Sequence, residues 1–204
     1  MKSPYSAKEL SKKTWPEFEE FFLKKRIGDG WWCWCTYHHQ LSGSSVEYKQ
    51  LRSRAKIADR NRREKRALVQ SGQAHGIILY ADGKPVGWCQ YGPKDELPRI
   101  DHRPRYRRLN LEDSSGSRLW RITCFIVHEN HRGRGLAGTA LQAALDSIRK
   151  KGGGLVEAYP VSKSDQGSNY RYCGTVSMFE KAGFKTVAPL REGRTSTVIM
   201  RRAL

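Results

Sequence analysis

Seven residues, Arg132-Gly133-Arg134-Gly135-Leu136-Ala137-Gly138, carry the clearest chemical signal in the sequence. They lie between an apolar run, Leu119–Val127, and a helical pattern that begins near residue 135. Glycines at such a junction let backbone N–H groups approach a ligand closely. A helix start adds orphan N–H donors and the positive end of a dipole. Arg132 and Arg134 add charge, so the chemistry is that of a cradle for pyrophosphate. Two kinds of fold build one. Gly133, Gly135 and Gly138 match the G-x-G-x-x-G spacing of dinucleotide-binding turns, and Glu157 lies about 20 residues on, where a ribose-binding acid sits. Two facts count against that match. Five polar residues, His128 to Arg132, stand where a tight strand-to-helix turn is wanted. The motif also comes about 130 residues into a 204-residue chain, too late for a full doubly wound sheet.

Cysteine is the second chemical signal. Five cysteines stand at 33, 35, 89, 124 and 173, an odd number. The close pair Cys33-Trp34-Cys35 lacks the two-residue spacer of zinc and redox motifs, although His38 and His39 follow it. Reduced, partly buried thiols of a cytoplasmic protein are expected, and no metal site.

The elements that must position these groups follow from pattern. Tyr5–Leu10 is a first strand. Thr14 then looks like an N-cap with Glu17 completing a capping box, and Trp15, Phe18 and Phe22 recur at helical spacing until Gly28-Asp29-Gly30. Trp31–His39 is dense in aromatics, and at least half of it is expected in the core. Residues 46–69 form a helix with Leu51, Ala55, Ala58 and Val69 as its apolar stripe, and its other faces carry Lys49, Lys65 and many arginines. Two strands follow, Gly76–Ala81 and Val86–Tyr91, joined by the hairpin signal Asp82-Gly83. Residues 92–117 are expected as a long basic loop with Arg99, Arg103, Arg105, Arg107 and Arg108. After the strand Leu119–Val127 come a helix over 135–150, capped by Gly152-Gly153-Gly154, and a strand Leu155–Tyr159. A polar loop 160–171, a short helix with Val176, Phe179 and Ala182, and two last strands complete the chain.

In this setting Arg132, Gly135 and Ala137 fit the signature Q/R-x-x-G-x-G/A, and the stretch Phe125–Gly135 resembles the strand and loop around it in the GNAT superfamily of acyl-CoA-dependent N-acetyltransferases. Met178-Phe179-Glu180-Lys181-Ala182-Gly183-Phe184 resembles that family's late helix and its Gly-Phe entry into a strand. The hairpin Leu79–Gly87 and the element order are similar too. Trp-Cys-Trp-Cys, Val86-Gly87-Trp88-Cys89, Cys124-Phe125 and Glu157-Ala158-Tyr159-Pro160 resemble one branch of it. The resemblance implies one α/β (α+β) domain over 1–204, with a mixed, mostly antiparallel, twisted sheet of about seven strands flanked by about four helices. A basic helical segment, 46–70, would lie on its acceptor side.

The resemblance also implies direct acetyl transfer from acetyl-CoA to an amine in a ternary complex. Main-chain N–H groups of Arg132, Gly133, Arg134, Gly135, Leu136 and Ala137 would hold the pyrophosphate. An N–H near Ile126 or Val127 would face the oxyanion. A free alkyl amine has a pKa of about 10, so a base must take its proton. Glu157 is the candidate base, with a structural carboxylate paired to arginine as the other reading. Phe179 stands where many relatives carry a tyrosine acid, so Tyr172 and Tyr170 become candidates. Cys124 would line the thioester site.

With 38 Lys and Arg against 20 Asp and Glu, the formal charge is +18. That favours anionic partners and disfavours polycationic substrates. A small neutral or anionic amine is the expected acceptor. An RNA-linked amine such as aminoacyl-tRNA is the alternative, and a non-catalytic module gripping nucleic acid is a third reading. No run of apolar residues is long enough to span a membrane, and the start at Met1 does not read as a signal peptide, which points to the cytoplasm.

Overall fold

The computed structural model describes residues 4–24, 32–41, 53–111, 116–164, 172–192 and 195–204. Gly28-Asp29-Gly30, Leu51 and Tyr170 lie outside them. Eight strands form one sheet: β1 (Tyr5–Glu9), β2 (His75–Ala81), β3 (Lys84–Pro93), β4 (Leu119–Val127), β5 (Leu155–Ala158), β6 (Val161–Ser164), β7 (Lys185–Glu192) and β8 (Thr195–Ala203). Their order is β1-β2-β3-β4-β5-β8-β6, with β7 on the other edge of β8. Among these described strands only the β4–β5 pair runs parallel. Among the described residues the α-helices are α1 (Trp15–Leu23), α2 (Arg54–Gln70), α3 (Pro104–Arg108), α4 (Leu136–Lys150) and α5 (Val176–Lys181).

Local chemistry accounts for the joints. Asp82 and Gly83 both have positive φ, 48° and 74°, as the expected two-residue hairpin turn demands. Helix α4 buries Leu136, Ala140, Leu141, Ala144, Leu145 and Ile148 at helical spacing. It ends in a Schellman motif, with Gly153 N–H on the Ile148 carbonyl and Gly152 N–H on that of Arg149.

The two sides of the sheet differ. Trp120, Ile122, Phe125, Val156, Ala158 and Met200 point to the side of α4 and α5, into one apolar cluster. On the other side Ile78, Tyr80 and Trp88 pack against Trp15, Phe18 and Phe22 of α1, Trp34, and Ala58 and Val69 of α2. A third cluster joins Ile100 and Tyr106 to Tyr159, Leu190 and Ile199.

Four expectations are corrected. Thr14 precedes α1 but does not cap it, because its hydroxyl donates instead to the Glu9 carbonyl at 2.7 Å. Residues 92–117 are not a loop over their described part. They hold the turns Lys94–Glu96 and Pro98–Ile100 and helix α3, and they bury Leu97, Ile100 and Tyr106. Arg121, wholly buried in β4, anchors them by forking onto Asp101 at 2.6 and 2.7 Å. The polar loop after residue 160 contains β6. In α2, finally, the buried residues are Ala58, Asn61, Lys65 and Val69, while Ala55 is exposed. Lys65 is therefore inside, not on a solvated face.

Candidate active site

Strand β4 delivers the site. Its pairing with β3 skips one residue between Cys124, opposite Gln90, and Ile122, opposite Tyr91, so Thr123 is a bulge. Its pairing with β5 ends at Ile122–Ala158, leaving residues 123–127 without a β5 partner. His128 N–H reaches back to the Val86 carbonyl at 2.9 Å. Two residues earlier, the N–H of Ile126 must also face β3, and those of Phe125 and Val127 face the other way, toward β5. Of the two expected donors, Val127 is thus the one aimed away from the ladder. The Ile126 amide is used by it, and the Ile126 side chain packs on the α1 side.

Past β4 a cleft of about 590 Å³ opens, lined by Val127, His131, Arg132, Gly133, Gly135, Leu136, Ala137 and Gly138, and by Ser177, Met178 and Lys181 of α5. Gly133 and Gly135 have φ of 75°, and a Cβ at Gly133, Gly135 or Gly138 would meet nothing within 4 Å. The space above the turn is therefore open, and the turn needs glycine. Gly135 is the N-cap of α4 and offers no side-chain cap, with no acid in the first turn. Helices α2 and α5, by contrast, are capped by the Ser53 and Thr175 side chains. The first intrahelical bond of α4 runs from Thr139 N–H to the Gly135 carbonyl, so the N–H groups of Leu136, Ala137 and Gly138 remain for a ligand. Nδ1 of His131 is also buried without a hydrogen-bond partner among the described residues. Arg132 donates its Nε to the Val127 carbonyl at 3.1 Å, tying loop to strand. Arg134 is exposed and lies outside the lining. These residues fit an anionic diphosphate.

A larger hollow of about 650 Å³ lies under the 94–118 segment, lined by Lys94, Asp101, Tyr106, Arg107 and Arg118. Neither the glycine turn at Gly133–Gly135 nor the start of α4 lines it.

A model of the acetyltransferase (GNAT) family matches residues 10–184. The chain belongs to that family. Solved structures agree in fold. An N-acetyltransferase from Staphylococcus aureus Mu50 is 15% identical, with a TM-score of 0.54 over 98% of this chain and 99% of that one. A GNAT-family acetyltransferase structure from Desulfovibrio desulfuricans is 16% identical, with a TM-score of 0.52 over 98% of each. The PaiA N-acetyltransferase of Thermoplasma acidophilum, solved in complex with coenzyme A, is 16% identical with a TM-score of 0.50, covering 98% and 99%. No curated protein matches the sequence.

In this GNAT acetyltransferase the acid–base candidates separate. Glu157 is wholly buried. Its Oε1 accepts from Tyr106 at 2.7 Å and from Tyr159, and its Oε2 accepts from Arg201 at 2.7 Å. Both oxygens are filled, the arrangement of a structural carboxylate, and Glu157 does not line the cleft. Beside that charge the Tyr106 phenol is pushed up to about 12, chiefly by burial. Phe179 is core, edge-on to Phe125 and Phe184. Tyr172 is exposed, and the adjacent Cys173 sulfur, followed by burial, raises its phenol above the ordinary range. It therefore stays protonated at neutral pH. It lies within electrostatic reach of Cys124, Tyr37 and Arg103. Cys124 is half-buried, its sulfur 3.4 Å from that of Cys35. All five cysteines are free thiols, and among the described residues no group of His, Cys, Asp or Glu is placed to hold a metal ion.

Sequence reasoning missed a buried polar cluster on the α1 side. Lys65 Nζ and Gln90 Nε2 both meet His39 Nε2, at 3.0 and 2.9 Å, and Gln90 also donates to the Cys35 carbonyl. Burial lowers Lys65 to about 8 and holds His39 well below its ordinary value. The signal was present, since Lys65 is seven residues past Ala58 and four before Val69, on the buried stripe.

Among the described residues, no helix is long and apolar enough to cross a membrane.

Proposed function

We propose that this protein moves the acetyl group of acetyl-CoA to the primary amine of a small neutral or anionic acceptor, by direct transfer in a ternary complex. The observation that carries the proposal is the uncapped start of α4, open to the cleft and adjoining the free end of β4. The N–H groups of Leu136, Ala137 and Gly138, with Arg132 and Lys181 at the rim, would hold the diphosphate. When bound, acetyl-CoA supplies a thioester carbonyl for an amine to attack. Val127 N–H would donate to that carbonyl oxygen as charge grows on it, a contribution worth about 3 kcal/mol for one well-placed donor. Tyr172, held protonated, suits return of a proton to the departing thiolate. Glu157 has no oxygen left for an amine proton.

The acceptor side favours modest, non-cationic molecules. The Arg99 guanidinium lies 3.9 Å from the centre of the Tyr37 ring. Arg103 reaches both Tyr172 and His38 electrostatically. The carboxylates of Asp101, Glu96 and Glu157 are already held by Arg121, His75 and Arg201. A polycation would find little to neutralise it there.

The test pairs acetyl-CoA titration of wild type and Gly135→Asp with CoA release over a panel of amines, amino acids and aminoacyl-tRNA. Gly135→Asp puts a carboxylate into the cradle on a left-handed backbone, and binding should weaken by about 100-fold or more, ~2.7 kcal/mol. Equal binding by both proteins would remove the site assignment. Turnover on aminoacyl-tRNA alone would replace the small acceptor. Tyr172→Phe should lower kcat about tenfold or more with little change in acetyl-CoA affinity.

A further inference from the structure

Cys35 and Cys124 meet sulfur to sulfur at 3.4 Å, with the Cys35 thiol donating. Three features converge on this contact. Trp34 and Cys35 are both left-handed, with φ of 47° and 50°, a conformation side chains of L-residues rarely adopt. Strain of this kind persists only where packing over-determines it. Here the Trp34 ring is stacked against Trp15 and Phe22, and the turn delivers the Cys35 thiol onto β4. Next, the Trp88 indole N–H donates to the Cys35 sulfur at 3.3 Å, a donor that favours negative charge on it. Lastly, Lys65 is wholly buried with a neutral histidine nitrogen as its hydrogen-bond partner, and Cys35, Cys33, Glu96 and Cys124 are the groups whose ionised forms would favour its charge. A buried ammonium without a bonded carboxylate would gain a counter-ion from a thiolate.

We propose that Cys35 and Cys124 are a peroxide-oxidised modification site that closes into a reversible disulfide. Cys124 begins the reaction. It is half-buried where Cys35 is buried, and it accepts the hydrogen bond that Cys35 donates. That bond lowers the Cys124 thiol, although burial and neighbouring thiols leave it raised overall, while Cys35 stands well above its ordinary value. The Cys124 thiolate attacks one oxygen of hydrogen peroxide. An S–O bond forms, the O–O bond breaks, and the departing hydroxide takes a proton to become water. The Cys35 sulfur then attacks the Cys124 sulfur. The S–S bond forms at about 2.05 Å, the S–O bond breaks, and a second water leaves. Each sulfur gives up one electron and the peroxide gains two. The site stands whether or not the acceptor assignment holds.

The experiment treats the full chain with hydrogen peroxide, counts thiols after denaturation and maps peptides without reduction. The count should fall from five to three, with a Cys35–Cys124 cross-link, and dithiothreitol should restore it. In Cys35→Ser and Cys35→Ala, checked for folding by circular dichroism, dimedone should trap a sulfenic acid on Cys124. In Cys124→Ser, Cys35 should stay unlabelled. Five remaining thiols, a first cross-link through Cys33, or dimedone on Cys35 in preference to Cys124 would each overturn the proposal.

Discussion

The two faces of the sheet are built on opposite terms. Under α4 and α5, β4 and β5 contribute Trp120, Ile122, Phe125, Val156 and Ala158 to a continuous apolar cluster. The chemistry proposed there rests on backbone, at the uncapped start of α4. On the other face the same strands contribute Arg121, Cys124 and Glu157. There Arg121 meets Asp101, Glu157 meets Arg201 and the phenols of Tyr106 and Tyr159, and Cys124 meets Cys35, while Lys65 and Gln90 converge on His39, all from segments far apart in the chain. Backbone chemistry tolerates almost any apolar support, since amides need only direction. Side-chain chemistry in a dry interior does not, since each charge there must find a partner. One face is therefore expected to fail in ligand binding when altered, and the other in stability.

Glu157→Gln tests this most severely. It leaves Arg201 facing a neutral amide and gives Tyr106 and Tyr159 a weaker acceptor. Removing one partner of a buried ion pair costs about 3 kcal/mol or more, a fall in Tm of order 10 °C for a chain of this size. Acetyl-CoA affinity measured at low temperature should be unchanged. An undiminished Tm with turnover abolished would break the comparison and restore Glu157 as the amine base.

Lys65→Met sharpens it with a change of opposite sign. Burial lowers the Lys65 ammonium to about 8 from an ordinary value near 10.5. Below pH 8 the lysine is charged in both folded and unfolded chains, and the fold carries the full cost of burying it. Between pH 8 and about 10.5 the folded chain gives up the proton first, so that cost declines as pH rises. Methionine, similar in length and uncharged, should stabilise the protein by about 2 kcal/mol at pH 7. The gain over wild type should shrink as denaturation curves are repeated from pH 8 to 10. Comparing the two proteins at each pH removes the contribution of the cysteines, whose raised thiols act in the opposite direction. A loss of stability at pH 7 would mean that the cluster already supplies Lys65 with a counter-ion.

The same contrast explains what could be read from the residues alone. The glycine turn before α4 is legible because a left-handed backbone demands glycine, as at Gly133 and Gly135, and because strand, loop and helix are contiguous. The hairpin at Asp82-Gly83 and the stripe of α4 were legible for similar local reasons. The other face was not. Leu97, Ile100 and Tyr106 lie among arginines with no sustained period, so a packed segment looked like a loop. Lys65 was assigned to solvent on residue type although its spacing placed it inside. Ile126 and Val127 could not be told apart until the β3 register fixed which amide pointed outward. Thr14 had the right type and position for a cap, but a carbonyl of β1 took its hydroxyl.

The smallest expected effect belongs to Arg134, on the cofactor face. Sequence placed it beside Arg132 as a second charge on the cradle, yet it is exposed and off the cleft lining, while Arg132 is tied to the Val127 carbonyl. If the main chain does the binding, Arg134 acts only through its field. An exposed charge of this kind contributes about 0.7 kcal/mol at most, about threefold in affinity. Arg134→Ala should therefore weaken acetyl-CoA binding about threefold at low ionic strength. The difference should vanish near 0.5 M salt, where the screening length falls to about 4 Å. A loss of tenfold or more that persists in high salt would mean a direct guanidinium–phosphate contact, and the cofactor face would then depend on side chains as the other face does.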